Sequence, residues 1–290
     1  MNDLQLATAP DGEQLAYRVH GPPDAPPILT VHGLVSSVQH WPFFIEHYQR
    51  THRVVSWEYR GHGGRPAPGD HRAISVAQFA DDAYAVWQAA RVPPAIVVGL
   101  SFGVQVALEQ WRRHADSIRA LVLICGTAGH PLDRVSSAAA LRHGAAALVR
   151  GLGRVRPLAA PLLALLRSRP GSWLAREAAF ASGGAHRDSC PREVLDSLFA
   201  HVGNLAPEVI AATISAYLEH DAFDVLPTID VPTLIIAGDR DELTPVETAE
   251  RMQRAIRGSE LVVFPGHSHL VQVEQPAEVH AAIDRFLARL

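Results

Sequence analysis

The chain has 290 residues, with 26 basic against 30 acidic side chains and a formal net charge of -4, so it offers no strong positive field to nucleic acid or an anionic membrane. Its length suits one large α/β domain, with or without an insertion, better than two small independent ones. No lysine occurs, so arginine carries every basic charge outside histidine; a bias in the coding sequence explains this as well as function does. The opening Met1-Asn2-Asp3-Leu4-Gln5 is neither basic nor apolar, and no apolar run near 18 residues follows, which predicts a cytoplasmic protein without a membrane span. Cys125 lies in an apolar run and Cys190 just before Pro191, and both are read as free thiols.

In chain order, Leu4 to Thr8 and Gln14 to His20 flank the turn signal Pro10-Asp11-Gly12, which predicts an antiparallel hairpin. Ile28 to Val31 and Arg53 to Trp57 are apolar strands. The first runs into His32-Gly33-Leu34, the second into Glu58-Tyr59-Arg60-Gly61-His62-Gly63. Ser75 is an N-cap candidate for a helix over Val76 to Arg91, where Val76, Phe79, Ala80, Ala83, Val86 and Trp87 recur at helical spacing. Ala95 to Val98 is a β-branched run suited to a strand buried on both faces, and Val104 to Arg113 can run as a helix. A strand from Ile118 to Cys125 follows. The alternation predicts a mainly parallel sheet covered by helices on both faces.

From about Thr127 to Asp224 the texture changes. This stretch is rich in Ala, Leu and Arg and punctuated by Gly and Pro, which predicts four or five helices and no strands. A lid inserted over the sheet and a plain helical layer both fit that pattern. Ala159 to Leu166 is too short, among scattered charge, to lie on a membrane surface. Alternation resumes with a strand at Val231 to Gly238, a helix at Val246 to Arg257 and a strand at Glu260 to Phe264. An amphipathic helix from about Pro276 to Leu290 closes the chain, with Val279, Ile283, Phe286 and Leu287 on its inner face.

Between the strand and the helix around residue 100 lies Gly99-Leu100-Ser101-Phe102-Gly103, the G-x-S-x-G nucleophile elbow. Alone it is only moderately specific, since such a match arises by chance roughly 0.1 times in a chain this long. It is not alone. His32-Gly33, Arg60-Gly61-His62-Gly63, Val231-Pro232-Thr233 through Gly238 with Asp241 and Pro245, and His269 through Pro276 accompany it in order. With these anchors the chain resembles the serine-nucleophile branch of the α/β-hydrolase fold superfamily, which holds esterases, perhydrolases and C–C bond hydrolases. The resemblance covers roughly residues 14 to 125 and 220 to 290. It implies a mostly parallel eight-stranded sheet flanked by helices, formed by 1–126 and 225–290, with 127–224 as a helical cap. Two positions depart from the family's pattern: Glu58 stands where Asp is common, and Val104 where a second small residue is common, which implies slightly looser packing of helix on strand.

Acyl transfer needs a nucleophile, a base, a group that fixes the base's tautomer and donors for the oxyanion. The resemblance assigns these to Ser101, His269, Asp241 and the backbone N–H groups of Leu34 and Phe102. Asp239 competes with Asp241, and the family's spacing from Gly238 selects Asp241. His267 competes with His269, and the family's spacing to Glu274 and Pro276 selects His269. His32 and His62 read as loop hydrogen-bonding groups rather than metal ligands. The remaining histidines show no ligand spacing, so neither a metal nor a cofactor is expected.

Hydrolysis of a carboxylic ester, thioester or lactone is the leading functional expectation. The same triad also serves C–C bond hydrolysis, acyl transfer and perhydrolysis, and the same scaffold serves non-catalytic small-molecule receptors. Epoxide hydrolases and dehalogenases of this fold need a carboxylate at the elbow, which Ser101 argues against. The expected substrate is small, neutral and apolar. The presumed cap supplies Leu, Ala, Val, Phe and Trp173, and no arginine cluster adjoins a motif residue.

Overall fold

A computed structural model describes residues 3–69, 74–131, 149, 151, 161 and 163–290. Its eight strands are β1 (Gln5–Thr8), β2 (Gln14–His20), β3 (Pro27–Val31), β4 (Arg53–Trp57), β5 (Ala95–Leu100), β6 (Ile118–Ile124), β7 (Thr233–Gly238) and β8 (Glu260–Phe264). They form one sheet in the order β1-β2-β4-β3-β5-β6-β7-β8. β1 and β2 pair antiparallel, as does β2 with β4; every other neighbour is parallel. Strand order reverses at β3, so the crevice beyond the carboxyl ends of β3 and β5 is the place this topology reserves for a ligand.

The apolar runs become central strands because both of their faces find a core. Along β5, Ala95 and Val97 join one buried cluster while Ile96, Val98 and Leu100 join a second on the opposite face. Each fully buried aliphatic side chain of this kind contributes about 1.5–3 kcal/mol. Outer helices close the layers: α2 (Val76–Ala90) and α3 (Phe102–His114) on one face, α1 (Pro42–Tyr48) and the C-terminal Pro276–Leu287 on the other. The Ser75 hydroxyl accepts from Gln78 N at 3.1 Å, the cap the sequence suggests, and Arg91 ends α2 in a left-handed turn at φ 51° rather than extending it.

Between β6 and β7 the described residues contain no strand. They form α4 (Arg169–Ala181), α5 (Arg192–Asn204) and α6 (Pro207–Glu219). Residues 132–148, 150, 152–160 and 162 of the expected insertion, among them three positions of the Ala159–Leu166 stretch, lie outside the described residues. Two further helices, α7 (Val246–Ala255) and α8 (Val271–Glu274), precede the last, α9 (Pro276–Leu287), on which Val279, Ile283 and Phe286 are buried. No helix among the described residues is long and apolar enough to cross a membrane.

Candidate active site

Ser101 sits between β5 and α3 with φ 56° and ψ -116°, a backbone conformation that L residues avoid. Close approach explains the flanking glycines. A Cβ on Gly99 would lie 2.5 Å from Gly103 O, and one on Gly103 would lie 2.3 Å from Val31 O. The bulk of Val104 is met in the same way: it is fully buried, and a Cβ on Gly126 would reach its Cγ2 at 2.3 Å. Packing of helix on strand is therefore close here, not loose. Unlike Ser75, Ser101 makes no side-chain cap to its own helix, which leaves Oγ available to another partner.

The His-Gly loop after β3 is fixed by its histidine. The Trp41 indole N–H donates to His32 Nδ1 at 2.9 Å, so the ring proton is on Nε2, which donates to the Trp57 carbonyl. Complete burial lowers the His32 pKa to about 3 and keeps the ring neutral. Tyr59 Oη donates to the His32 carbonyl at 2.7 Å. These three bonds hold Gly33 against Ser101, where a Cβ on Gly33 would lie 3.7 Å from Ser101 Cβ. Leu34 follows, and neither its N–H nor that of Phe102 has an acceptor among the described residues.

Asp241 and His269 come from the loops after β7 and β8. His269 Nε2 is 2.8 Å from Ser101 Oγ, and His269 Nδ1 is 2.8 Å from Asp241 Oδ2. Because a carboxylate only accepts, Nδ1 carries the proton, and Nε2 is left to accept from the serine hydroxyl. Asp241 is 3% exposed and also accepts from Leu243 N, Thr244 N and the Thr244 hydroxyl at 2.7–2.9 Å. The competitors point elsewhere. Asp239 accepts from Gly266 N at 2.6 Å, and His267 Nδ1 lies 3.3 Å from Glu274 Oε2.

Sequence reading used Glu274 only as a ruler and gave Thr244 no part. Glu274 organises the His269 loop: its carboxylate accepts from the backbone N–H groups of His186 and Ser268 and from the Ser268 hydroxyl. A buried carboxylate five residues past a loop histidine was the available signal, legible only once its donors are known. Cys125, free and fully buried beside Asp241, is held as the neutral thiol by burial and by that negative charge.

Ser101 and His269 open into a cavity of about 360 Å³. Its walls are mostly apolar, with Leu34, Leu100 and Leu243 from the core and Val194, Leu198 and Tyr217 from α5 and α6. No Arg, Asp or Glu lines it among the described residues. Trp173, expected from the sequence to face the pocket, is 55% exposed and lies away from it. No group of three or more His, Cys, Asp or Glu side chains among the described residues is arranged to hold a metal ion.

The model of the alpha/beta hydrolase family matches residues 28–282. The chain belongs to that family. It is an α/β hydrolase, and several of its relatives carry hydrolase names. A 3-oxoadipate enol-lactonase of Acinetobacter baylyi is 26% identical over 277 residues, covering 95% of this chain and 93% of its own. Among solved structures, a thermophilic esterase from Thermogutta terrifontis with malate bound superposes with a TM-score of 0.76 at 25% identity, covering 99% of this chain and 98% of its own. The enol-lactonase from Burkholderia xenovorans LB400, also at a TM-score of 0.76, shares the fold at 23% identity over 98% of this chain and 100% of its own.

Proposed function

We propose that the protein is a serine hydrolase that cleaves a small, neutral carboxylic ester, thioester or lactone through an acyl-enzyme. The observation that carries this reading is the unbroken hydrogen-bonded line from Ser101 Oγ through His269 to Asp241. Ser101 Oγ attacks the carbonyl carbon as His269 Nε2 takes the hydroxyl proton, and Asp241 stabilises the imidazolium without taking a proton itself. His269 then passes that proton to the leaving oxygen or sulfur. In deacylation a water loses its proton to His269 and attacks the acyl carbon, and Ser101 leaves with the proton returned.

The N–H groups of Leu34 and Phe102 bind the oxyanion of both tetrahedral intermediates, each such donor being worth about 2.7–4 kcal/mol. Residues 127–224 act as a cap, since Val194, Leu198 and Tyr217 share the cavity with Ser101. The apolar, uncharged walls favour a neutral substrate, and the ester and lactone chemistry of the named relatives fits the same site.

The test is labelling of purified protein with a fluorophosphonate, alongside a screen of neutral esters, thioesters and lactones. Wild type should label once and turn over at least one ester class. Ser101→Ala should do neither, losing turnover by several orders of magnitude while keeping its melting temperature within a few degrees. A wild-type protein that binds esters without labelling or turnover is a receptor, and the reading fails.

A further inference from the structure

Gln272 stands on α8, three residues beyond His269, and its side chain lines the cavity that Ser101 opens into. It is only 5% exposed, and its Oε1 is sealed from solvent with no hydrogen-bond partner. Among the described residues Nε2 makes no hydrogen bond either. The neighbours on this helix behave differently. Val271 and Val273 pack into apolar clusters, and both carboxylate oxygens of Glu274 are taken. Three other polar side chains on the cavity wall have partners: Ser101 has His269, Thr244 has Asp241, and Ser36 Oγ meets His40 Nδ1 at 2.8 Å; the Tyr217 hydroxyl, on the α6 side of the same cavity, shows no hydrogen bond among the described residues. His40 Nε2 has no bond of its own, but the Ser197 carbonyl of α5 lies beside it.

A buried carboxamide without partners is costly, and a leucine or methionine would fill this wall without that cost. Its presence is explained if a ligand completes the bonding. With Oε1 sealed, the Nε2 end of the carboxamide is the one open to the cavity, so the group that meets it must accept its N–H bonds. With no ionic side chain on the described walls, that group is uncharged.

We propose that Gln272 is a specificity-determining residue that binds a second polar group of the substrate, an uncharged secondary amide or hydroxyl set apart from the carbonyl that Ser101 attacks. This rests on the serine-hydrolase reading for its chemistry and on Gln272 alone for its selectivity. The preferred substrate is thus an ester or lactone whose acyl or alkyl part carries an amide or hydroxyl, in contrast to a plain hydrocarbon ester of equal length.

Two experiments with the full chain separate the claims. In the first, kcat/KM is measured for a pair of 4-nitrophenyl esters of equal chain length, one with a secondary amide in the chain and one all-hydrocarbon. A second pair carries hydroxyl against hydrogen. Wild type should prefer the polar member of at least one pair, and Gln272→Leu should reduce that preference about tenfold, mainly through KM. In the second, the matching non-hydrolysable ketones are titrated calorimetrically into Ser101→Ala and into Ser101→Ala/Gln272→Leu. The same loss of preference in Kd is expected there without any turnover. Failure of turnover with intact selectivity in binding removes the hydrolase reading and leaves Gln272 as the selector. Equal losses on polar and hydrocarbon members, or no preference in wild type by either readout, overturn the proposal and make Gln272 a support for the His269 loop.

Discussion

Acid should weaken this protein well above the pH at which ordinary carboxylates protonate, and buried histidines set the size of the effect. His32, His40 and His62 are each at most 5% exposed, and burial lowers their pKa values to about 3, 4 and 4. His201 of α5 is pushed to about 4 in the same way, and its ring lies 6.0 Å from that of His40 and 5.8 Å from that of His62. A folded pKa below the unfolded value of 6.5 means that the unfolded chain binds more protons between pH 6.5 and 4. Stability is therefore intact above pH 6.5 and falls as pH drops through that window. From pH 7 to 5 each such histidine costs up to about 2 kcal/mol, at 1.36 kcal/mol per pH unit below 6.5. Glu58 acts with the opposite sign. Burial raises its pKa to about 7, so acidification relieves a strained charge and returns up to about 2 kcal/mol. Asp11 and Asp81 have lowered pKa values, so their contributions persist until the pH falls below their unfolded values near 3.8. For the three most buried histidines the balance is a loss of up to about 4 kcal/mol, set against typical total stabilities of about 5–15 kcal/mol. Urea denaturation followed by tryptophan fluorescence at pH 7 and pH 5 measures it. His62→Leu should shrink the pH 7-to-5 difference by up to about 2 kcal/mol, and Glu58→Gln should enlarge it by a similar amount. A difference that is zero in wild type, or identical in wild type and His62→Leu, refutes the reasoning.

Two further outcomes follow from the site. His269→Ala should lose about as much kcat/KM on an activated ester as Ser101→Ala, because triad members act as a unit, while His267→Ala should lose about tenfold or less; the reverse ranking would move the base to His267. Gly103→Ala should either fail to fold or lose more than about 2 kcal/mol by denaturant titration, since its Cβ would sit 2.3 Å from Val31 O and 2.6 Å from His32 O, backbone atoms with nowhere to move. A Gly103→Ala protein of wild-type stability would show that the elbow is looser than it is drawn.

What the sequence made legible is what local chemistry decides. The β-branched runs at Ile28, Val54 and Ile96 stand out because central parallel strands must be apolar on both faces. The elbow is visible because two glycines at fixed spacing are needed for backbone to touch backbone. The short helices Pro42–Tyr48 and Val271–Glu274 were not anticipated, as neither is long enough to show a helical period. The helix after Ser101 begins at Phe102 rather than Val104, because turn and helix share residues there. Roles that depend on distant partners were out of reach. Glu274 reads as one acid among thirty until His186, 88 positions away, donates to it. Trp173 reads as a pocket residue because an amphipathic helix does not say which way it faces once part of it is exposed.

Backbone strain explains why the site sits where it does. Four non-glycine residues among those described have positive φ; Arg91 merely ends a helix, and the other three are Val35, Ser101 and Cys125. Each of these three follows a strand of the central sheet, β3, β5 and β6, at its carboxyl end. Each costs on the order of 1–3 kcal/mol, so they persist only where the surroundings leave no alternative. For Ser101 and Cys125 the sheet supplies that constraint by carrying its ladder one residue past the strands: Ser101 N donates to Ile124 O and Cys125 N to Ile236 O, both at 2.8 Å. Strained residues pinned by bonds to neighbouring strands cannot relax one at a time. The direction of the Ser101 hydroxyl is thus tied to the ends of β5 and β6, and His269, held by Asp241, meets a hydroxyl whose position is already set. That division, rigid sheet edge below and helices α5 and α6 above, leaves the walls at Val194, Leu198 and Tyr217 free to change while the geometry at Ser101 stays fixed.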